Sequence, residues 1–321
     1  MKWYPIKFHA IPKEKIWGGK KLSKLFHKDF SGDTVGESWE ISGVENNVSI
    51  VANGDLKEMT LTEIVSQFKS DLVGNKIYDH FGNDFPLLIK FIDANKDLSV
   101  QLHPNDDLAK QRHNSFGKTE MWYIMQAEAN SRLVLGFTDG ITPETYQEYL
   151  KKNELTSILN NVPVTAGDTF FIPTGTVHAI GAGIVLAEIQ QTSDITYRVY
   201  DWDRLDSRGQ SRALHQEEAL EAINFDYRGE QVTYTSEENK PNTMISCDYF
   251  TTNSLNVTQS LDVDYSTLDS FVIYMCVSGS VQIQSENFLE TLICGESVLI
   301  PASLNRFTLH SENAKLLEVF I

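Results

Sequence analysis

The sequence predicts a mainly β protein made of two jelly-roll barrels with a few peripheral helices. Residues 167–178, GDTFFIPTGTVH, align without gaps with residues 295–306, GESVLIPASLNR. The two stretches share a glycine, an acid, a hydroxyl residue, three apolar residues and a proline. Short apolar runs between Gly and Pro turns, typical of strands, recur along the chain. A repeated strand-and-turn unit in such a chain indicates two barrels built on one plan.

The two copies of the repeat differ at a position that matters for chemistry. His178 of the first copy aligns with Arg306 of the second, and a guanidinium is not a metal ligand. The polar stretch 228–242, RGEQVTYTSEENKPN, has the composition of a linker. We therefore expect an N-terminal domain over 1–235 that carries helical insertions and the candidate ligand His178, and a β domain over 236–321 that holds no metal.

Helical periodicity predicts short helices on the outside of these barrels. Apolar residues recur at helical spacing over 60–78, with Thr60 or Thr62 as the candidate cap, and Thr142 is followed by proline at the first helical position. The predicted helical segments are 60–78, part of 105–118, the stretch after Thr142, which is followed by a second short helix, and 217–225.

The sequence predicts exposed or structural positions for most charged residues in the first third of the chain, and a special position for Lys90. Lys13 and Lys15 belong to a basic stretch that we expect to be a solvated face, and we expect Glu37 and Glu40 to be structural or exposed. Lys90 interrupts the apolar run FPLLIKFIDA. Because burying an unpaired ammonium costs several kcal/mol, this lysine lies either at a sheet edge or in a site.

Composition restricts the classes of partner. The formal net charge is −17, and no long basic run offsets it, which argues against nucleic acid. The chain has no apolar run of signal-peptide or membrane-span length, and an odd number of cysteines without ligand-like spacing suits a reducing compartment. We expect a cytoplasmic protein, a monomer or weak homodimer, with a small molecule as its partner.

A set of polar residues on consecutive strand-like segments indicates a metal site. Gln101 and His103 lie two apart in the alternating stretch LSVQLHPND, so their side chains share one face. Glu120 stands at the entry of the next apolar run, and His178 begins another. Two imidazoles, a carboxylate and an amide oxygen suit zinc, although iron, manganese or cobalt would accept the same set.

Several longer segments of the chain, in order, resemble those of one enzyme family. They are KIWGG (15–19), GESWEIS (36–42), LSVQLHPND (98–106), GKTEMWYI (117–124) and the stretch 173–204 from PTGTVHAIGAG to YDWDR. These segments are similar to those of the type I mannose-6-phosphate isomerases, zinc-dependent cupin enzymes, in their short bacterial form. The resemblance implies a bicupin fold, one zinc ion per chain, and interconversion of mannose 6-phosphate and fructose 6-phosphate through an enediol.

The resemblance also implies roles for individual residues. Arg198 matches the family's catalytic arginine, Asp194 a carboxylate implicated in ring opening, and Glu188 a further carboxylate at the site. Lys90 matches a lysine that faces the substrate. Phosphate would be bound by Lys90, Lys118 or Arg198, because an acidic protein needs a local positive site for an anionic substrate.

Lys118 precedes Glu120 by two residues, so on an extended segment both side chains face the same way. The lysine could contact phosphate or move protons. In family members with a longer insertion a histidine can precede this lysine, whereas this chain has Gly117. Spacing leaves the general base open, and a hydride shift between C1 and C2 would need the metal but no base.

Two other functions fit parts of the pattern. A metal-dependent cupin oxygenase would use the same ligands with redox-active iron. A non-catalytic sugar-phosphate-binding cupin would keep the fold without turnover. From the residues alone, Arg198 is also compatible with a structural salt bridge to Asp201 or Asp203.

Overall fold

The computed structural model describes residues 2–205 and 209–321, and strands dominate it. The strands form two units, and all strands of the first unit precede those of the second in the chain. The first unit contains β1 (Ile11–Gly19), β2 (Val35–Ile41), β3 (Leu87–Ala94), β4 (Val100–Leu102), β5 (Glu120–Ala127), β6 (Arg132–Phe137), β7 (Leu159–Pro163), β8 (Thr169–Ile172), β9 (His178–Ile180), β10 (Ile184–Gln191), β11 (Tyr197–Tyr200) and β12 (Glu230–Gln231).

The second unit contains β13 (Pro241–Ser246), β14 (Thr251–Val257), β15 (Leu261–Asp264), β16 (Val272–Ser285), β17 (Phe288–Ile293), β18 (Ser297–Ile300), β19 (Arg306–His310) and β20 (Ala314–Phe320). The α-helices are α1 (Lys21–Phe26), α2 (Leu61–Phe68), α3 (Ser70–Val73), α4 (Asn75–Phe81), α5 (Asp106–His113), α6 (Pro143–Lys151) and α7 (Gln216–Ala222). Single 3₁₀ turns cover Gly54–Leu56 and Leu155–Ile158.

Two sheets build the first unit. One has the strand order β1-β2-β3-β10-β5-β8-β12 and the other the order β11-β4-β9-β6-β7. Apolar residues of both sheets, such as Ile92 of β3, Leu186 of β10 and Leu135 of β6, form one buried core between them. The helices α6 and α7 cover the outer face of the second sheet, where residues such as Val199 and Tyr146 pack together.

The second unit is a sheet in the order β13-β14-β20-β16-β19-β15, with β17 and β18 also paired to β16. Its interior is lined by alternate residues of these strands, including Leu255, Leu316 and Val298. The alternating residues of the same strands, such as Ile273 and Leu317, face outward and belong to a different hydrophobic core.

The two units pack sheet against sheet. Phe91 of β3 and Met121 of β5, on the outer face of the first unit, share a hydrophobic core with Ile273 of β16 and Leu317 of β20. The N-terminal segment also bridges the units, because Ile6 forms a β-bridge with Leu299 of β18. The outer face of the larger sheet of the first unit is therefore supported by the second unit.

The sequence repeat corresponds to equivalent strands. Its first copy forms β8 and the start of β9 at His178, and its second copy forms β18 and the start of β19 at Arg306. The mainly β prediction is confirmed. The polar stretch 228–242 contains β12, which pairs with β8 of the first unit, and the beginning of β13 of the second. The division of the chain at residue 235 stays a prediction.

The helices follow the sequence signals with one correction. Thr60, one of the two candidate caps, forms a reciprocal capping box with Glu63 on α2, and Thr142 caps α6 as predicted. The single helix predicted over 60–78 is wrong: it is broken into α2, α3 and α4. Lys69 has a φ of 52° and Gly74 a φ of 98°, and a helix cannot continue through either conformation. In the described residues no helix is long and apolar enough to cross a membrane.

Candidate active site

Alternation in three central strands brings polar side chains into the interior of the first unit. Residues Leu186 of β10 and Ile92 of β3 face the inner core, so Glu188 and Lys90, two positions away, face the same side. In the sheet Glu188 is in register with Lys90 on one side and with Trp122 on the other. This arrangement gives a short row of polar and aromatic groups across three adjacent strands.

The Lys90–Glu188 pair is buried and closely engaged. Lys90 Nζ lies 2.9 Å from Glu188 Oε2 and donates to Gln190 Oε1 at 2.6 Å. Trp122 Nε1 donates to Glu188 Oε1 at 2.9 Å. Burial alone would raise the pKa of Glu188, but the ammonium groups of Lys90 and Lys118 and these hydrogen bonds lower it to about 2. Glu188 is therefore a fixed negative charge at neutral pH.

The predicted metal ligands come together on the inner face. Glu120 is the first residue of β5, His103 follows β4, and His178 is the first residue of β9, where it pairs with Gln101 of β4. One donor atom from each of His103, Glu120 and His178 lies within 4.8 Å of the other two. All three side chains are buried. Three residues separated widely in the chain thus form one cluster.

Hydrogen bonds orient both imidazoles toward the cluster. His103 Nδ1 lies 2.7 Å from the carbonyl oxygen of Ile195, and His178 Nδ1 lies 3.0 Å from that of Thr176. A carbonyl oxygen only accepts, so each Nδ1 carries the proton and each Nε2 presents a lone pair. Burial and the charge of Lys118 lower the pKa of His103 and bring that of His178 to about 3. Both rings are neutral, as a metal ligand requires.

The carboxylate of Glu120 is short of partners. Only Lys118 Nζ contacts its Oε2, at 3.0 Å, and its Oε1 accepts no hydrogen bond from any described residue. Burial raises the pKa of Glu120 to about 7, although Lys118 opposes that rise. Its oxygens lie 3.5 Å from His103 Nε2 and 3.5 Å from His178 Nε2. A divalent cation would satisfy this carboxylate and both lone pairs, so the donor set fits a metal ion.

Gln101 lies at the edge of the same cluster. Its Nε2 is 3.5 Å from His178 Nε2, and its Oε1 accepts from the Ser99 hydroxyl at 3.1 Å. Rotating the amide by half a turn would direct the oxygen toward the cluster and leave the nitrogen to donate to Ser99. Gln101 can therefore serve as an oxygen ligand, as the sequence predicts.

Lys118 contacts two residues of the cluster, and Arg198 lies beside Gln101. Lys118 Nζ lies 3.0 Å from Glu120 Oε2 and 3.0 Å from His103 Nε2. Arg198 of β11 is in register with Gln101, and its Nε donates to the Ser99 hydroxyl at 3.3 Å. Both cations line one pocket, which Gln101 and His178 also line.

The alternative of a salt bridge between Arg198 and Asp201 or Asp203 is not supported. Asp201 is bound by Arg204 at 2.6 Å and by Arg212 at 2.6 and 2.7 Å. Arg198 Nη1 instead donates to the carbonyl of Ala213 at 2.9 Å. Among the ion pairs of residues 2–205 and 209–321, none joins Arg198 to either aspartate.

The pocket also contains residues that sequence reasoning missed. Glu37 of β2 was expected to be structural or exposed, but it is buried, lines the pocket, and accepts from Trp39 Nε1 at 2.6 Å. Lys15 also lines the pocket and lies 3.1 Å from Glu37 Oε1. Lys13 stacks over the Trp39 ring at 4.5 Å. The expected solvated basic face is therefore wrong for these two lysines, which face the pocket side of β1.

Two further acidic residues differ from each other in environment. Glu40, also expected to be structural or exposed, is buried and paired with Lys28 at 2.8 Å, so its role is structural. Asp194 is exposed and lines the rim of the pocket, in the loop between β10 and β11. The pocket thus extends from His178 of the buried cluster to charged residues of both signs, such as Asp194 and Lys15.

Comparison with known proteins identifies the family. The profile described as "Phosphomannose isomerase type I, catalytic domain" matches residues 6–139, and that described as "Mannose-6-phosphate isomerase, cupin domain" matches residues 240–321. Mannose-6-phosphate isomerase ManA of Bacillus subtilis is 35% identical over 309 residues, which cover 95% of each chain. This chain belongs to the type I mannose-6-phosphate isomerase family.

Other relatives agree with this assignment. The mannose-6-phosphate isomerase of Streptococcus mutans is 40% identical over 68% of this chain and 67% of its own. The crystal structure of the Bacillus subtilis mannose 6-phosphate isomerase superposes with a TM-score of 0.89 at 30% identity, covering 99% of this chain and all of that one. Gln101, His103, Lys118 and Glu120 lie within the first profile match, whereas His178 and Arg198 lie between the two matched ranges.

Proposed function

We propose that this member of the family interconverts mannose 6-phosphate and fructose 6-phosphate, using one Zn²⁺ ion per chain. The observation that carries the proposal is the buried cluster of His103, Glu120 and His178, of which His178 lines a pocket together with Lys118 and Arg198. Relatives that align over nearly the whole chain are named for this activity, which supports the same reaction here.

The donor set supports zinc as the metal. His103 and His178 would bind through Nε2, Glu120 through a carboxylate oxygen, and Gln101 through its amide oxygen after the rotation described above. Two imidazoles with a carboxylate are a common zinc environment. When bound, the ion supplies Lewis-acid stabilisation of negative charge on the sugar oxygens.

The reaction moves a hydrogen between C1 and C2. Its natural route removes a proton next to a carbonyl and passes through an enediol. Lys118 Nζ lies 3.0 Å from two of the ligand side chains, so it faces the sugar oxygens that would be held there. We assign Lys118 to hydrogen bonding and proton transfer at these oxygens, and Asp194, at the rim, to proton transfer during ring opening.

Glu188 is a poor proton carrier because its pKa is about 2 and both of its oxygens are engaged. We propose that it acts as a fixed charge that holds Lys90 in the wall of the pocket. Solvent hydrogen entering the product would support proton transfer, whereas its complete exclusion would favour the hydride shift.

Phosphate recognition is assigned to Arg198, with Lys118 and Lys90 contributing positive charge. The Arg198 guanidinium is held by Ser99 and the carbonyl of Ala213 and lines the pocket. A guanidinium fixed in this way suits an anionic oxygen of phosphate or of the enediolate. The ammonium of Lys90 is shared between Glu188 and Gln190, so we propose that it acts through its charge.

A comparison of substrates tests the proposal. The purified protein should convert mannose 6-phosphate to fructose 6-phosphate and should act far more weakly on mannose, which lacks the phosphate. Oxygen uptake with iron bound would instead indicate the oxygenase. Saturable binding of mannose 6-phosphate without turnover by the zinc-loaded protein would indicate the non-catalytic binding protein.

A further inference from the structure

The segment that carries Lys118 has no regular secondary structure of its own. Residues 116–119 lie between α5 and β5, and Glu120 begins the strand. Backbone amides in such a segment lack ladder partners and need other acceptors when they are buried. The position of Lys118 and of the ligand Glu120 therefore depends on what binds the amides beside them.

Two side chains bind the amides on either side of Lys118. The amide of Gly117 donates to Asp106 Oδ1 at 2.8 Å, and the amide of Thr119 donates to Gln191 Oε1 at 2.8 Å. Gln191 Nε2 in turn donates to Asp106 Oδ1 at 3.0 Å. A single aspartate thus connects both sides of the lysine.

Asp106 is also close to a second ligand along the chain. It is the first residue of α5, three positions after His103. The same carboxylate therefore links the loop that carries His103 to the segment that carries Lys118 and Glu120. Its bonds set the spacing between groups that must act together.

The remaining oxygen of Asp106 is bound by the other β unit. Tyr249, in the turn between β13 and β14, donates from its hydroxyl to Asp106 Oδ2 at 2.6 Å. Burial and Asp106 itself raise the pKa of Tyr249, so the hydroxyl keeps its proton at neutral pH. Tyr249, Asp106 and Gln191 line a cleft away from the active-site pocket.

We propose that Tyr249 of the second unit, acting through Asp106 and Gln191, is a positioning residue for Lys118 and the ligand Glu120. This assigns the second unit a part in the reaction of the first. The inference rests on the proposed function for its kinetic readout, but the ligand cluster gives a second readout, which is metal affinity.

The chain offers a matched control. Tyr4 is a half-buried tyrosine like Tyr249, and its hydroxyl accepts from the amide of Leu56 at 2.8 Å and donates to the carbonyl of Asn53 at 3.1 Å. Tyr4 does not line the active-site pocket. Tyr4→Phe and Tyr249→Phe each remove one hydroxyl without changing the side-chain volume, so they should lower the melting temperature by similar amounts.

The experiment measures kcat, KM and Zn²⁺ affinity for the full-length wild type, Tyr249→Phe, Asp106→Asn, the double variant and Tyr4→Phe. Loss of partners around metal ligands typically costs 10- to 100-fold, so we expect kcat and metal affinity to fall roughly tenfold in Tyr249→Phe and further in Asp106→Asn. KM should change little. The double variant should resemble Asp106→Asn because both changes break one pathway.

Tyr249→Phe with kcat and metal affinity within about twofold of those of Tyr4→Phe would overturn the proposal. Additive losses in the double variant would also overturn it. If the wild type does not turn over mannose 6-phosphate, the proposed function fails, and metal affinity in the same variants still decides the role of Tyr249.

Discussion

Glu188 and Glu318 occupy the same place in the two β units, but only Glu188 faces an ammonium. Glu188 of β10 is in register with Lys90, and Glu318 of β20 is in register with Asn253. Asn253 Nδ2 donates to Glu318 Oε2 at 2.7 Å, and the Tyr265 hydroxyl binds the other oxygen. The second unit therefore satisfies its buried carboxylate with neutral donors.

The neighbouring strands confirm this correspondence. Glu188 and Glu318 are each in register with an aromatic residue, Trp122 in the first unit and Tyr274 in the second. Those residues pair in turn with Phe170 and Val298, which occupy matching positions in the sequence repeat. The duplication thus extends beyond the repeat that is visible in the sequence, and the charged pair is a feature of the site-bearing copy.

Removing Lys90 should destabilise the protein strongly. In Lys90→Met the buried Glu188 loses its ion-pair partner, and breaking such a pair costs about 3–5 kcal/mol. The free energy of unfolding, measured by urea denaturation at neutral pH, should fall by about that amount. Lys90→Met/Glu188→Gln should recover much of the loss because no unpaired charge remains. A double variant as unstable as Lys90→Met would contradict the pairing.

The same pair should govern stability in acid. The pKa of Glu188 is lowered from its ordinary value to about 2, so its contribution is fully present above pH 4.5 and is lost as the pH falls toward 2. A shift of this size corresponds to about 3 kcal/mol. The free energy of unfolding measured across this window should therefore fall less steeply in Glu188→Gln than in the wild type. Equal slopes would show that Glu188 is not held ionised by its partners.

Substitutions of His178 and Arg198 should separate metal binding from turnover. His178→Ala removes one of the clustered donors, so bound zinc and activity should both disappear. Arg198→Ala should keep the metal, because the guanidinium is not part of the donor set, while kcat falls at least a hundredfold, the usual scale for a lost electrostatic group. Metal analysis and kinetics on the same samples check both results. Arg228→Ala, which removes a cation paired with Asp139, is the control and should behave like the wild type.

Gly117 should not tolerate a side chain. A Cβ at this position would lie 2.8 Å from the amide nitrogen of Asp106 and 2.9 Å from the carbonyl carbon of Asn105, which are backbone atoms. Gly117→Ala should therefore displace the segment that carries Lys118 and lower kcat by roughly a hundredfold, the cost of a misplacement of about 1 Å.

Gly140 is the control for Gly117→Ala. It has a φ of 77° with open space around it, so Gly140→Ala costs roughly 1 kcal/mol of stability through backbone strain. The kcat of the Gly140→Ala variant should equal that of the wild type. Equal activities of the two variants would mean that the close packing of Gly117 has no catalytic consequence.

The clustering of the candidate metal ligands could be predicted from the sequence because strand alternation fixes which side chains share a face. Gln101, His103 and Glu120 follow that rule, and His178 begins a strand as expected. Glu37 could not be found in this way, since every residue of β2 is buried on one face or the other. Glu37 and Trp39 lie two apart on β2, so their side chains share one face of the sheet. The sequence did not show whether that face points toward the pocket or away from it.

Contacts between residues that are far apart in the chain could not be predicted from the sequence. Tyr249 and Asp106 are 143 residues apart, and no local pattern joins them. Lys69 ends α2 with a positive φ, a conformation for which a lysine gives no signal. The roles of Arg204 and Arg212 as partners of Asp201 likewise depend on how the chain folds back beside β11.

Stepwise metal titration of the chelated protein, with turnover of mannose 6-phosphate followed at each step, tests the central claim most directly. Activity should rise linearly with added Zn²⁺ and level off at one ion per chain, since a single cluster of His103, Glu120 and His178 is available in the described residues. Full activity before metal is added, or no activity with one ion bound, would contradict the account.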